Sequence, residues 1–380
     1  MSKRSIYDLD IKGKRLFIRV DFNVPLSAGL ISDDTRIRSA LPTLQYALEQ
    51  GASLVLASHL GRPKGQRTEA FSLKPIGIRL SQLLDQPVAF ANDCIGPEAV
   101  QTIKEAGPNG VTLLENLRFH KEEEDNDLIF SAALASLADC YVNDAFGSAH
   151  RAHASTAGIV SHLSDAAVGL LLARELKYLG ALLDNPARPF TAILGGSKVS
   201  GKLEVIKNLL PRIDTLLIGG AMSYTFFKAR GLSTGQSLVE PELVTATREI
   251  EKEAKIHQVN LMLPCDHLVA TALDADAAHE NLGVETNEIG GRIGVDIGPK
   301  TQQSYTEIIK KSATVVWNGP MGVFEILPFS SGTLAVAKAV AASTGTTVVG
   351  GGDSVSAVWQ MSVADQITHI STGGGASLEF

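Results

Sequence analysis

Cysteine is scarce: Cys94, Cys140 and Cys265 are the only three in 380 residues. They lie far apart and fit no CxxC, zinc-ligand or disulfide spacing, which excludes a disulfide scaffold and implies a reducing compartment. Each is expected to be a buried, inert thiol. Long apolar runs are missing as well. A membrane helix needs roughly 20 such residues, and even the run at 168–172 is soon broken by Arg174 and Glu175. The N-terminal Met1-Ser2-Lys3-Arg4-Ser5 leads into a polar stretch without the apolar core of a signal peptide, so a cytoplasmic protein is expected. A basic surplus is absent, the formal net charge being -7, which argues against nucleic-acid binding. No GxGxxG, Cys/His couple, metal cluster or Ser-His-Asp order stands out, so dehydrogenase and hydrolase readings lack their usual parts.

What is present is ordinary globular composition, 44% hydrophobic and 20% charged. The length exceeds what one core usually organises, so two domains are the natural expectation, with one large barrel as the alternative. Short β-rich runs alternate with longer amphipathic stretches, the pattern of parallel sheets covered by helices on both faces. Strands are predicted at 16–20, 54–58, 88–90, 112–114 and 140–142, then at 191–194, 215–218, 261–263, 314–317, 346–349 and 369–370. The pattern restarts instead of fading, which favours two α/β domains. Between them, Leu170, Leu171, Glu175, Leu176, Leu179, Leu182 and Leu183 form a helix-period face stopped by Asn185-Pro186. The division is therefore a first domain over 1–167, a connecting helix over 168–186 and a second domain over 187–365. The acidic run Glu122-Glu123-Glu124-Asp125 reads as a solvated loop or helix start.

Ligands of open parallel sheets gather beyond the carboxyl ends of the strands, and the two halves differ there. The first half offers Asp21-Phe22-Asn23, His59-Leu60-Gly61-Arg62, Glu115-Asn116-Leu117-Arg118 and Asn143-Asp144, with His150, Arg151 and His153 shortly after. Arg36 and Arg38 could join from a loop or a first helical turn. Arginine's planar fork suits carboxylate and phosphate, so several of them would select a small dianion. The second half instead offers Gly195-Gly196-Ser197-Lys198, Gly219-Gly220, Asn318-Gly319-Pro320, Gly350-Gly351-Gly352-Asp353 and Gly373-Gly374-Gly375. Glycine lets backbone N–H groups approach phosphate, most effectively where a helix begins. Asp353 is placed to meet a metal-bound phosphate, to cap the helix predicted over 354–361, or to do both. Residues 196–202 satisfy GxxxxGK, but Leu203 stands where a P-loop carries the Ser or Thr for Mg2+. If Lys198 and Lys202 occupy a first helical turn, they share one face. His267 reads as structural or solvent-facing.

These segments, together with Arg19-Val20-Asp21-Phe22-Asn23-Val24-Pro25 and Trp317-Asn318-Gly319-Pro320-Met321-Gly322-Val323-Phe324-Glu325, strongly resemble the phosphoglycerate kinase family along the whole chain. The resemblance implies two Rossmann-like domains, joined by the connecting helix and a hinge at 371–375, that close around the substrates. It implies reversible phosphoryl transfer from 1,3-bisphosphoglycerate to ADP, giving 3-phosphoglycerate and ATP, by direct in-line transfer in a monomer. By the same resemblance, Asp21, Phe22, Asn23, Arg36, His59, Leu60, Gly61, Arg62, Arg118 and Arg151 hold the phosphoglycerate. Lys202, Gly294, Asn318, Glu325, Gly351, Gly352, Asp353 and Ser354 hold the nucleotide, with Asp353 the contact to Mg2+ and Gly219-Gly220 leaving room for the base. Arg36, Lys198, Gly352 and Gly374 serve the phosphoryl group in transit. Gly201 stands where relatives often carry Asp or Thr, and Arg292 where an aromatic is common. The chain stops at Phe380, where family members continue, and residues 366–380 are expected to return to the first domain. The residues alone leave a P-loop hydrolase and a catalytically silent binding protein as alternatives.

Overall fold

The computed structural model describes residues 3–27 and 29–374. It divides into two compact units, Met1–Lys177 and Tyr178–Phe380. The strands of the first unit are β1 (Arg15–Arg19), β2 (Leu26–Ser27), β3 (Leu30–Ile31), β4 (Ser53–Ala57), β5 (Val88–Ala91), β6 (Val111–Leu114), β7 (Cys140–Asn143) and β8 (Ala166–Val168). Six form one sheet in the order β5-β6-β4-β1-β7-β8, every pairing parallel. Side-chain alternation feeds two cores: Leu16, Ile18, Leu54, Leu56 and Val142 pack on one face, Phe17, Val55, Ala57 and Tyr141 on the other. Burial on both faces is why these strands read as continuous apolar runs. The sequence reading found all but β8 and the two-residue β2–β3 hairpin, which are too short to carry a period.

The second unit contains β9 (Phe190–Leu194), β10 (Thr215–Ile218), β11 (Asn260–Met262), β12 (Asp266–Ala270), β13 (His279–Gly283), β14 (Ile293–Ile297), β15 (Thr314–Asn318), β16 (Thr346–Gly350) and β17 (His369–Ile370). Its main sheet, β11-β10-β9-β15-β16-β17, is again wholly parallel. A separate antiparallel sheet, β13-β12-β14, was not anticipated. The burial of β13 runs exposed, exposed, exposed, intermediate, exposed, so its His-Glu-Asn-Leu-Gly offers no hydrophobic pattern to read.

The connecting helix spans Leu170–Asp184, and the boundary between units falls inside it, after Lys177. Near the end of the described chain, His369–Ile370 pairs with Val348 and Val349 of β16, where a sheet edge offers backbone partners. Residues 375–380 lie outside the described residues. Among the described residues no helix is long and apolar enough to cross a membrane.

In each main sheet the chain reverses direction beside the first strand. From β1 it moves outward to β4 and returns on the other side as β7; from β9 it proceeds to β10 and β11, then returns as β15. Counting its own strands, the second sheet follows the 3-2-1-4-5-6 order of dinucleotide-binding folds, and such reversals open crevices at the strand carboxyl ends.

Candidate active site

In the first unit, the four adjacent strands β6-β4-β1-β7 bring the predicted anion-binding segments to one edge. Arg36 lies in the first turn of the helix Thr35–Glu49. Its Nη1 donates to both oxygens of Asp21, at 3.0 Å each, which aims the guanidinium across the end of β1. Asn23 accepts from the Gly61 N–H at 2.9 Å, tying the loop after β1 to the loop after β4. Gly61 has φ +61°, and an added Cβ would stand 2.4 Å from Phe71, so the turn requires glycine. Arg118 is almost fully buried, donates to the Gly61 carbonyl at 2.9 Å and lies 3.3 Å from Glu124.

His59 sits among these groups, 7% exposed. Burial first, then the positive charges of Arg19, Arg118, Arg36 and Arg151, holds its pKa well below the usual range. Its Nδ1 faces the Arg19 guanidinium at 3.2 Å. Arginine can only donate, so Nδ1 accepts and the neutral ring carries its hydrogen on Nε2. His153 is likewise held neutral, its pKa down to about 4 through burial and the charges of Arg118 and Arg19. Arg62 is exposed, Arg151 half-buried and Phe22 and Leu60 buried beneath the loops.

Not every strand-end polar residue faces a ligand. Glu115 is buried and accepts from Ser72 Oγ and the backbone N–H groups of Leu73 and Asn116, each at 2.8 Å. Asp144 is fully buried, accepts from the Leu172 N–H at 3.0 Å at the start of the connecting helix, and is pushed up to about 6 by desolvation. Two contributors escaped the sequence reading. Arg19 is fully buried behind His59 and donates to Ser155 Oγ at 2.8 Å. Ser155 in turn donates to Glu123 at 2.6 Å, and Glu123 is 0% exposed. The acidic run is therefore not wholly solvated: its middle carboxylate balances a buried arginine, because the helix Lys121–Glu124 turns that side chain inward.

In the second unit a cavity of about 270 Å³ is lined by Gly196, Ser197, Gly220, Gly294, Glu325 and Asp353, with aromatic and apolar neighbours. Asp353 lies in the first turn of the helix Gly352–Gln360, whose N-cap is Gly351 at φ +86°, so the capping role expected of Asp353 falls to the glycine. Its exposed carboxylate has no hydrogen bond or ion pair among the described residues. A Cβ on Gly351 would stand 2.7 Å from Asn318 Nδ2, and Ser354 Oγ accepts from the Gly319 N–H, so these glycines pack the β15 and β16 loops together. Lys202 Nζ donates to Asn318 Oδ1, and burial lowers its pKa to about 8, with Asp353 opposing the shift.

Several expectations change. Lys198 and Lys202 do not share a helical face, because the helix begins only at Leu203; Glu240 accepts from the N–H groups of Val199 and Ser200 and holds the preceding turn open. Lys198 is exposed. Gly219 and Gly220 are needed first for packing, since added Cβ atoms would meet Met321 Sδ at 2.4 Å and the Gly196 backbone at 2.5 Å. Gly352 faces open space and Gly374 has φ +56°, while Gly375 lies outside the described residues. Arg292 is spent on Glu280 and the carbonyls of Glu288 and Ile289. Cys94 and Cys140 are buried as expected, but Cys265 is exposed. Asp93, Cys94 and His120 come within 4.8 Å of one another, a grouping the sequence did not suggest. It is accounted for by a 2.7 Å His120–Asp93 ion pair, which raises the pKa of His120, beside a thiol that burial keeps protonated.

A family model described as phosphoglycerate kinase matches residues 6–380. The chain is 57% identical over 385 residues to phosphoglycerate kinase of Solibacter usitatus and 54% to that of Chlorobium limicola, each alignment covering 100% of this chain and 96% of the relative. Among solved structures, phosphoglycerate kinase from Coxiella burnetii superposes with a TM-score of 0.88 at 41% identity, covering 100% of this chain and 95% of that one. The Pyrococcus horikoshii enzyme gives 0.88 at 34%, covering 99% and 95%. With two parallel sheets, each carrying its ligand-type loops at a reversal point, the chain belongs to the phosphoglycerate kinase family, phosphotransferases whose acceptor is a carboxyl group.

Proposed function

We propose that the protein transfers a phosphoryl group reversibly between 1,3-bisphosphoglycerate and ADP, giving 3-phosphoglycerate and ATP. The observation that carries this reading is the convergence of Arg19, Arg36, Arg118 and Arg151 on a buried, neutral His59. Four guanidinium groups gathered at one strand edge, among them Arg36 paired with Asp21 and Arg118 with Glu124, suit a small dianion or trianion. Asp21, Asn23, His59, Arg62, Arg118 and Arg151 bind the acid, with Phe22, Leu60 and Gly61 shaping the loops. Lys202, Gly294, Asn318, Glu325 and the segment Gly351-Gly352-Asp353-Ser354 bind the nucleotide.

The acceptor carboxylate is ionised at neutral pH, so direct in-line attack requires no general base. The protein's own contribution is alignment and charge: Arg36 and Lys198 neutralise the group in transit, and the amides at Gly352 and Gly374 receive its oxygens. The free carboxylate of Asp353, beside the cavity and the cationic Lys202, fits a hard cation with oxygen ligands. Mg2+ bound there with the nucleotide supplies further charge neutralisation. A monomeric, cytoplasmic enzyme belongs to the same reading, and the three free cysteines fit a reducing compartment.

A coupled assay of ADP formation tests it. ATP consumption should depend strictly on 3-phosphoglycerate. Phosphate release without the acid would point to a P-loop hydrolase, and no turnover to a silent binding protein.

A further inference from the structure

His267 is only 3% exposed, yet it lines the cavity of the second unit. Its Nδ1 lies 2.7 Å from Tyr224 Oη, and the two rings stack with an interplanar angle of 16°. Phe227 meets the imidazole edge-on at 84°. The other ring nitrogen, Nε2, is buried and has no partner among the described residues. A buried donor left unpaired in this way is unusual in a native protein and asks for a ligand or a water.

The hydrogen-bond chain behind the ring favours one tautomer. The Gly294 N–H can only donate, and it donates to Ser237 Oγ at 2.9 Å. Ser237 stands beside Tyr224 and favours its oxygen as an acceptor. With the serine hydrogen directed to the tyrosine oxygen and the tyrosine hydrogen to Nδ1, the neutral imidazole carries its own hydrogen on Nε2. Burial keeps the ring neutral by lowering its pKa to about 4. The arrangement is rigid: a Cβ on Gly294 would stand 1.6 Å from Tyr224 Oη, so the strand presses directly on the tyrosine.

We propose that His267 reads the base of the nucleotide, its Nε2–H donating to a ring nitrogen of a purine. This rests on the nucleotide reading of the cavity. The neighbouring wall, with Tyr224, Phe227, Pro264, Val295 and Met321, is apolar and aromatic, which suits a flat base and not a phosphate. Phosphate has its own cation in Lys202. A purine presents unprotonated ring nitrogens at its edges, and a single fixed donor complements one of them.

Calorimetry on the full chain with Mg-ADP and the Mg complexes of 1-deaza-, 3-deaza- and 7-deaza-ADP tests this. One analogue should bind about tenfold more weakly than ADP, the effect of one lost hydrogen bond to a buried donor, while the other two bind as ADP does. His267→Phe should weaken ADP by a similar factor and erase the discrimination. In 15N spectra of the unaltered protein, His267 should show a protonated Nε2 whose resonance moves when ADP binds. That measurement decides the matter should His267→Phe fail to fold. Equal binding of all three analogues, discrimination that survives His267→Phe, or an Nε2 resonance indifferent to ADP would overturn the proposal, a buried water then being the partner. Failure of the unaltered protein to bind ADP at all is a different result, which removes the nucleotide reading and the proposal with it.

Discussion

The two units solve one problem by opposite means. Both build a six-stranded parallel sheet, and both reverse direction beside their first strand, so each gathers loops at a single edge. The first unit presents side chains: buried arginines, one of them balanced by the internal Glu123, surround a neutral histidine. The second unit presents backbone, through glycines so closely packed that a Cβ at Gly195, Gly220, Gly319 or Gly351 would fall within 2.7 Å of a neighbour. A small acid of fixed shape rewards planar forks, whereas a polyphosphate rewards a row of amides close to the chain. On the proposed reading, the same sheet topology serves two ligands because only its loops differ.

If that division holds, damage to one unit should spare the other unit's ligand. The largest effect is expected where the two chemistries must combine. Arg36→Ala removes a cation proposed to neutralise the moving group and leaves the buried carboxylate of Asp21 unpaired. We expect kcat to fall on the order of 10³-fold. Arg36→Lys, which restores charge but not the fork, should recover only part of it.

Gly294→Ala comes next, because its Cβ would overlap Tyr224 Oη, only 1.6 Å away. It should destabilise the protein by about 1–3 kcal/mol. Calorimetry should show ADP binding weakened by at least about tenfold and 3-phosphoglycerate binding unchanged. Equal losses for both ligands would break the comparison. Arg62→Ala is the mirror experiment. Arg62 is exposed, so stability should not change, while the KM for 3-phosphoglycerate rises roughly 10- to 100-fold, as loss of a charge-assisted contact dictates. The KM for ATP should stay within about twofold.

Much of this was legible in the sequence because parallel strands buried on both faces are written as apolar runs, and the punctuation after each run is chemical. Asp21, His59, Arg62 and Arg118 announce themselves by following a strand. What stayed hidden was of two kinds. Polar residues that fold inward, such as Glu123, Asp144 and Glu115, look identical to solvated ones until the partner is known, and their partners lie far along the chain: Ser155, Leu172 and Ser72. The β12–β14 sheet was missed for a related reason. Its outer strand is exposed and polar, so the placement of His267 and Gly294 on neighbouring strands depends on pairings that no local period records.

The smallest predicted effect distinguishes the units by pH. Arginines stay charged at any accessible pH, so phosphoglycerate binding by the first unit should be flat between about pH 7.5 and 9.5. In the second unit, burial lowers Lys202 to about 8. A bound polyphosphate stabilises the ammonium form and raises that pKa again, so the lysine is more often protonated in the complex than in the free protein above pH 8. Affinity is therefore complete below about pH 8 and declines as pH rises through that value, by at most about tenfold per unit. Binding near pH 8.5 must take up protons, which calorimetry in buffers of different ionisation enthalpy measures directly. Lys202→Met should abolish both the decline and the proton uptake. A phosphoglycerate affinity that fell in step with that of ADP would mean that a shared titrating group, and not this buried lysine, controls both sites.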